Sequence, residues 1–269
     1  AVGLFAALVT AGTGDKSAYQ VAQVQPMKLA AMEALYEGGT HESLTVVGSI
    51  KIPEMLSFLA THSMAGYVPG INNLLEGGYT LPDGSTALSA DEKMVNGKKA
   101  ITALADFRRA KEEGDEASMQ IARSALKEYM PYFGYGYIQN KEDLVPHVGL
   151  LFWSFRVMVG LGMYFILFFL VILFLVWKKR LAELNWLHWI SLWSIPLAYI
   201  ASQAGWIVAE MGRQPWTIQD LLPVNAAVSK LETGSVQTTF FIFLIMFTVL
   251  LIAEIGIMVK AIRKGPDEK

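Results

Sequence analysis

Three stretches of this chain are long and apolar enough to cross a lipid bilayer, and this feature limits the possible folds most strongly. They cover about residues 148–177, 186–209 and 238–259. Crossing the hydrocarbon core takes roughly 20 apolar residues in a helix. Helices are required because lipid offers no hydrogen-bond partners to an open backbone. The sequence therefore predicts an all-α integral membrane protein, a helical bundle with three complete transmembrane helices.

Basic residues flank these stretches on one side and predict the orientation of the chain. They lie in the link after the first stretch and in the tail after the third: Lys178, Lys179, Arg180, Lys260, Arg263 and Lys264. Such clusters mark cytoplasmic segments. We therefore expect a multi-pass protein with a cytoplasmic C-terminus. The large polar segment before the first stretch then lies on the periplasmic or extracellular face.

The remaining sequence divides into two parts. Residues 1–12 are apolar but too few to span a bilayer, and we interpret them as the end of a transmembrane helix whose start is missing. Residues 13–147 predict a large extramembrane insertion of helices and loops, and residues 148–269 hold the three spans. In the insertion, Pro26 suits the first turn of a helix, and Gly114 separates two charged helices.

Composition excludes several functions. The chain has 269 residues and a net charge of −2, so nothing indicates nucleic acid binding. It has no cysteine, which excludes disulfides, thiolate metal sites and covalent haem attachment.

Five polar or sulfur-containing positions have both a structural and a functional interpretation. Lys28 and Glu33 are about 140° apart around a helix and suit a solvated face. Arg156, inside the first span, needs a partner or reaches the membrane surface by snorkelling. Met158 suits packing, although its thioether could also bind a haem iron. Glu254, inside the third span, is a functional hypothesis without a partner that the sequence identifies.

The stretch "GWIVAEMGRQPW" at the end of the second span holds a carboxylate and a guanidinium three residues apart. Glu210 and Arg213 could simply form a bridge on one helix face. Trp206 and Trp216 bracket them, and Gly212 allows a flat group to approach. An anionic ligand, an arginine and aromatic walls would suit a haem, whose propionates need cationic partners.

Three motifs carry a resemblance to a known family. "GWIVAEMGRQPW" resembles the A-E-x-G-R-Q-P-W signature of subunit I of cytochrome bd-type quinol oxidases. "VQPMKLAAME" resembles the start of that family's quinol-binding loop, and "WSFRVMVGLG" resembles its seventh span. The chain is similar to the C-terminal portion of the subunit, in the branch with a long quinol loop.

The resemblance implies a quinol site in the extramembrane insertion. Lys28 and Glu33 match loop residues associated with quinol binding and oxidation, and Asp15 is a weaker companion. A carboxylate could accept a quinol proton while a lysine steadies the quinone oxygen.

The resemblance also implies haem-binding residues. Met158 matches the axial ligand of the low-spin haem b, and Arg156 matches an arginine beside it. Glu210 matches a ligand of a high-spin haem, either haem b or haem d. The residues that surround that haem in the family are matched here by Trp206, Arg213 and Trp216.

The implied activity belongs to a complex in the bacterial inner membrane that oxidises quinol and reduces dioxygen to water. The expected partners are membrane lipid, the missing N-terminal part of subunit I, subunit II, small single-span subunits, quinol and dioxygen. The earlier spans of the family would supply the remaining haem ligands, so this chain is not expected to be active alone. The alternative is a non-catalytic module that binds quinone or anchors partners without complete haem sites. The sequence leaves open whether the quinol is ubiquinol or menaquinol.

Overall fold

The computed structural model describes residues 2–47, 50–180 and 184–265. The described helices are α1 (Val2–Val24), α2 (Pro26–Glu33), α3 (Met55–Thr61), α4 (Ile71–Glu76), α5 (Ala90–Glu113), α6 (Glu116–Tyr129), α7 (Val148–Trp177), α8 (Asn185–Met211) and α9 (Thr233–Lys264). Short 3-10 helices span Met130–Tyr137 and Lys141–Leu144. Two antiparallel pairs of short strands complete the described fold: β1 (Leu44–Val47) with β2 (Ile50–Ile52), and β3 (Trp216–Ile218) with β4 (Leu222–Pro223).

Among the described residues, α7, α8 and α9 are the three helices long and apolar enough to cross a membrane. This confirms the predicted fold class. The chain forms two compact units, Ala1–Ala227 and Val228–Lys269, and α9 lies in the second. Within the first unit, α7 packs on α8, and a 2.6 Å hydrogen bond joins the hydroxyls of Tyr164 and Ser194.

The N-terminal helix α1 runs without a break to Val24, so the domain boundary drawn at residue 12 falls inside it. The interpretation of residues 1–12 as the end of a transmembrane helix stays a prediction. Pro26 occupies the first turn of α2, as expected from its fixed φ. Gly114 ends α5 in the left-handed conformation, and Asp115 caps the next helix, α6.

The region between α2 and α7, which we call the extramembrane region, is held together by close backbone packing. Helix α5 lies against α6 and against the 3-10 helix Met130–Tyr137. At this contact, a Cβ added to Gly97 would lie 2.3 Å from the backbone nitrogen of Gly136. The absence of a side chain at Gly97 therefore sets how closely the two helices approach.

Gly97→Ala should destabilise the extramembrane region, because the added methyl meets backbone that cannot rotate away. We expect a loss of roughly 1–3 kcal/mol. The measurement is the thermal unfolding of the purified complex, followed with limited proteolysis of this region. Lys98→Ala, at the exposed neighbouring position on the same helix, is the matched control and should change the unfolding temperature little.

Candidate functional site

A buried ion pair joins the end of α2 to α7, the first of the three apolar spans. Arg156 on α7 donates from Nη2 to Oε2 of Glu33, the last residue of α2, at 2.8 Å. The two side chains are only 4% and 2% exposed. Because both charges are removed from water, each needs the other as well as further hydrogen bonds.

Backbone groups supply those further hydrogen bonds. The guanidinium also donates to the carbonyl oxygens of Met32 and, at 2.9 Å, Thr45. The amide of Thr45 donates to Oε2 of Glu33 at 3.1 Å. Strand β1 therefore contacts both partners, and the ring of Phe152 covers the guanidinium at 3.8 Å.

This geometry decides between the structural alternatives for Glu33 and for Arg156. The interpretation of Lys28 and Glu33 as a solvated helix face is wrong for Glu33, because the fold places its carboxylate against a helix more than a hundred residues away. The alternative in which Arg156 snorkels to the membrane surface is also wrong, since its charge is paired in the interior.

A cavity of about 280 Å³ brings together three of the predicted site residues. Lys28 and Glu33 line it from α2, Met158 from α7, and Gly205 and Ala209 from α8. Most of the lining is apolar. The predicted quinol-site residues Lys28 and Glu33 and the predicted low-spin haem ligand therefore share one cavity, which their sequence separation did not reveal.

The two oxygens of the Glu33 carboxylate differ in their hydrogen bonds. Its Oε2 holds Arg156 and Thr45, whereas its buried Oε1 has no hydrogen-bond partner among the described residues. Burial raises the pKa of Glu33, although Arg156 opposes this effect. A buried carboxylate with one unpaired oxygen and a raised pKa is suited to accept a proton from a bound hydroxyl group.

Lys28 crosses from the cavity to the end of α8. Its Nζ donates to the carbonyl oxygen of Ala209 at 3.3 Å, and its side chain lies directly against Gly212. Burial lowers the pKa of Lys28, Arg213 lowers it further, and Glu210 raises it in opposition. The two charges of the Glu210–Arg213 pair therefore shift the pKa of Lys28 in opposite directions.

Glu210 and Arg213 form the hydrogen-bonded ion pair that the sequence spacing allows, with side chains 39% and 41% exposed. The buried Nε of Arg213 has no partner among the described residues. Trp206, one turn before Glu210, is 61% exposed. This end of α8 therefore presents a carboxylate, a cation and an indole at its surface.

Trp216 is not part of that exposed surface. It is 5% exposed and packs edge-on against Tyr135, with ring centroids 4.9 Å apart, in a core that includes Met94. Its backbone amide donates to the carbonyl oxygen of Arg213 at 2.9 Å. Trp216 can therefore anchor the turn after Arg213, while its indole belongs to the core of the extramembrane region.

Two further candidates remain outside this arrangement. Asp15 is in α1, and its side chain lies outside the described residues, so its predicted role stays a prediction. Glu254 is within α9, in the second compact unit, and its role also stays a prediction.

The sequence interpretation missed Thr45, Phe152 and Gly205. Thr45 begins a run of β-branched residues, a strand signal that could have located β1. Its contacts with Glu33 and Arg156 nevertheless use only its backbone amide and carbonyl groups, which every residue except proline has, so the residue type does not predict them. Gly205 lies against Met158, because a Cβ there would be 3.1 Å from the methionine sulfur.

The comparisons with known proteins identify the family of this chain. The family model for cytochrome bd terminal oxidase subunit I matches residues 1–266. A cytochrome bd-II ubiquinol oxidase subunit 1 of Escherichia coli is 36% identical over 98% of this chain and 54% of its own length. A cytochrome bd ubiquinol oxidase subunit 1 of Bacillus subtilis is 28% identical over 99% of this chain and 47% of its own length.

A solved structure of the bd oxidase from Geobacillus thermodenitrificans has a TM-score of 0.57 and 24% identity, covering 96% of this chain and 46% of that chain. This likeness supports the fold. The chain spans about half the length of the curated relatives that it matches.

Replacing one member of the Glu33–Arg156 pair should destabilise the protein more than replacing both. Glu33→Met or Arg156→Met leaves a buried charge without its partner and should cost roughly 3–5 kcal/mol, whereas the double replacement should recover much of that loss. The unfolding temperature of the purified complex measures all three. Arg109→Met, which removes an exposed i,i+3 pair with Asp106, is the control and should cost less than about 1 kcal/mol. Equal losses for the double replacement and the sum of the single ones would contradict the pairing.

Proposed function

We propose that this chain, which belongs to the cytochrome bd terminal oxidase subunit I family, forms part of a membrane complex that oxidises quinol and reduces dioxygen to water. The observation that carries the proposal is the cavity shared by Lys28, Glu33 and Met158. It combines a cation, a carboxylate that could accept a proton and a thioether that could bind iron. A complex that takes electrons from quinol needs these groups close together.

The residues present fit a haem beside Met158. A thioether is a ligand of low-spin haem iron, and the Met158 side chain lines the cavity, where its sulfur lies against Gly205. The buried Nε of Arg156, two residues away, has no partner among the described residues and could donate to a propionate. We propose that Met158 would bind the iron of the low-spin haem b and that Arg156 would neutralise part of the haem's charge. When bound, this haem would accept electrons from quinol one at a time.

The end of α8 fits a second, high-spin haem, either haem b or haem d. Glu210 would supply a carboxylate ligand, and the unpaired Nε of Arg213 could donate to an anionic group. Trp206 would contribute a wall, since it is largely exposed on the same helix. Trp216 would act from the core by holding the turn that follows Arg213.

In the quinol site, the two residues of α2 have different tasks. Lys28 would donate a hydrogen bond to one quinol oxygen. Oε1 of Glu33 would accept the proton of the other hydroxyl while Oε2 remains bound to Arg156. Holding one carboxylate oxygen fixes the direction of the free one, so proton transfer needs no rearrangement of the side chain. Asp15 would assist from α1.

The basic clusters after α7 and at the end of α9 support a cytoplasmic location for both segments. The extramembrane region and the quinol site would then face the periplasm or the exterior. Because the chain spans about half the length of its curated relatives, we propose that the remaining haem ligands come from the other part of subunit I. Subunit II and small single-span subunits would complete the complex, and this chain alone would be inactive.

Met158→Leu should abolish the low-spin haem b signal, because leucine offers no ligand atom to the iron. The reduced-minus-oxidised absorption spectrum of the purified complex measures this loss. Met163→Leu is the control, since Met163 is exposed on the same helix and should leave the spectrum unchanged. A normal low-spin signal in Met158→Leu would refute the ligand. A wild-type complex without haem b and haem d bands would instead favour the non-catalytic module.

Glu33→Gln should slow quinol oxidation at least about 10²-fold, because an amide cannot accept the proton. The wild-type rate should fall on acidification through the raised pKa of Glu33, above the ordinary value of 4.5, since only the deprotonated carboxylate can act. The rate of quinol oxidation against pH measures both effects, with haem spectra as a check on folding. Glu112→Gln, at an exposed position, should retain the wild-type profile. An unchanged acidic limb in Glu33→Gln would exclude Glu33 as the proton acceptor.

A further inference from the structure

We propose that Gly212 is a positioning residue for Lys28: the missing side chain lets Lys28 lie across the end of α8 and holds its ammonium group at the cavity. This inference rests on the proposed quinol site. It assigns a task to a residue that the sequence interpretation connected with a flat ligand, since the group that approaches this glycine is the lysine side chain.

Space, and not backbone conformation, requires glycine at this position. Gly212 has φ −71° and ψ −18°, values that any L-residue adopts. A Cβ there would lie 2.8 Å from Cγ and 3.0 Å from Cδ of Lys28. These atoms are in the middle of the lysine side chain, so a small movement of its free end cannot relieve the contact. Alanine would therefore force the whole side chain into another rotamer.

The opposite end of Lys28 shows what such a displacement would change. Its Nζ donates to the carbonyl oxygen of Ala209, three residues before Gly212 on the same helix. The side chain is thus held at two points on α8, by contact at Gly212 and by a hydrogen bond at Ala209. Displacing the side chain at Gly212 would move the ammonium group relative to Glu33, which lines the cavity from the same short helix.

Two further contacts, one at Gly212 itself and one at Gly205, allow the effect of the Gly212–Lys28 contact to be measured separately. A Cβ at Gly212 would also lie 2.5 Å from the carbonyl oxygen of Val208, so alanine disturbs the helix end whatever residue occupies position 28. Gly205 lies seven residues earlier, on the same face of α8, where a Cβ would approach the sulfur of Met158. Gly205→Ala therefore crowds the proposed haem ligand and leaves the Lys28 contact in place.

The test is a double-mutant cycle in the assembled oxidase, with the KM for quinol, kcat and the haem spectrum measured for each variant. Gly212→Ala should raise the quinol KM about tenfold with a smaller change in kcat, because misplacing a positioned group by about 1 Å can cost up to 10²-fold. In a Lys28→Ala background, where Cγ and Cδ are absent, Gly212→Ala should change KM less than about twofold. Gly205→Ala should alter the low-spin haem b signal more than the quinol KM.

An equal increase in KM in both backgrounds would overturn the proposal, because the effect would then come from the helix end alone. If Lys28→Ala does not turn over, the same cycle is measured as the dissociation constant of a short-chain quinone, with the same expected and opposing results. Failure of the proposed function is distinguishable, since the wild-type complex would then lack haem bands or quinol oxidation. An oxidase with normal spectra and a purely additive cycle would refute only the role of Gly212.

Discussion

The buried Glu33–Arg156 ion pair is the contact on which the candidate site depends. It joins the end of α2 to α7, and β1 adds hydrogen bonds to both partners. Two charges removed from water need each other and further hydrogen bonds, and here the backbone of Met32 and Thr45 supplies several of them. The pair therefore orients α2 on α7, and it leaves the second Glu33 oxygen without a hydrogen-bond partner among the described residues. The same contact that stabilises the fold also prepares the proposed proton acceptor.

The surface of α8 contributes small residues, which let side chains from other helices approach its backbone closely. Gly205 faces the sulfur of Met158, Gly212 faces Lys28, and the carbonyl group of Ala209 accepts a hydrogen bond between them. Small residues at these positions let side chains from α2 and α7 reach one cavity. This supports a proposed arrangement in which the quinol headgroup and the low-spin haem are neighbours. Electrons would then travel a short distance through a largely apolar space.

Features that depend on neighbouring residues could be predicted from the sequence. The spans, the helix start at Pro26 and the division at Gly114 all follow from local hydrophobicity, fixed dihedral angles and capping. The Glu210–Arg213 pair was expected for the same reason, since three residues on a helix place two side chains on one face. The solvated interpretation of Glu33 was wrong because its partner is 123 residues away.

The sequence alone determined that the chain is a helical membrane protein, and its motifs identified the candidate residues individually. Whether a helix can span the bilayer depends on the length of its own apolar segment. It can therefore be predicted without knowing how the helices pack. Only the tertiary structure decided that Lys28, Glu33 and Met158 share a cavity, that Trp216 belongs to a core, and that Gly212 contacts a lysine. Those facts depend on which helix faces meet, and that choice is made by desolvation and packing between segments distant in the chain.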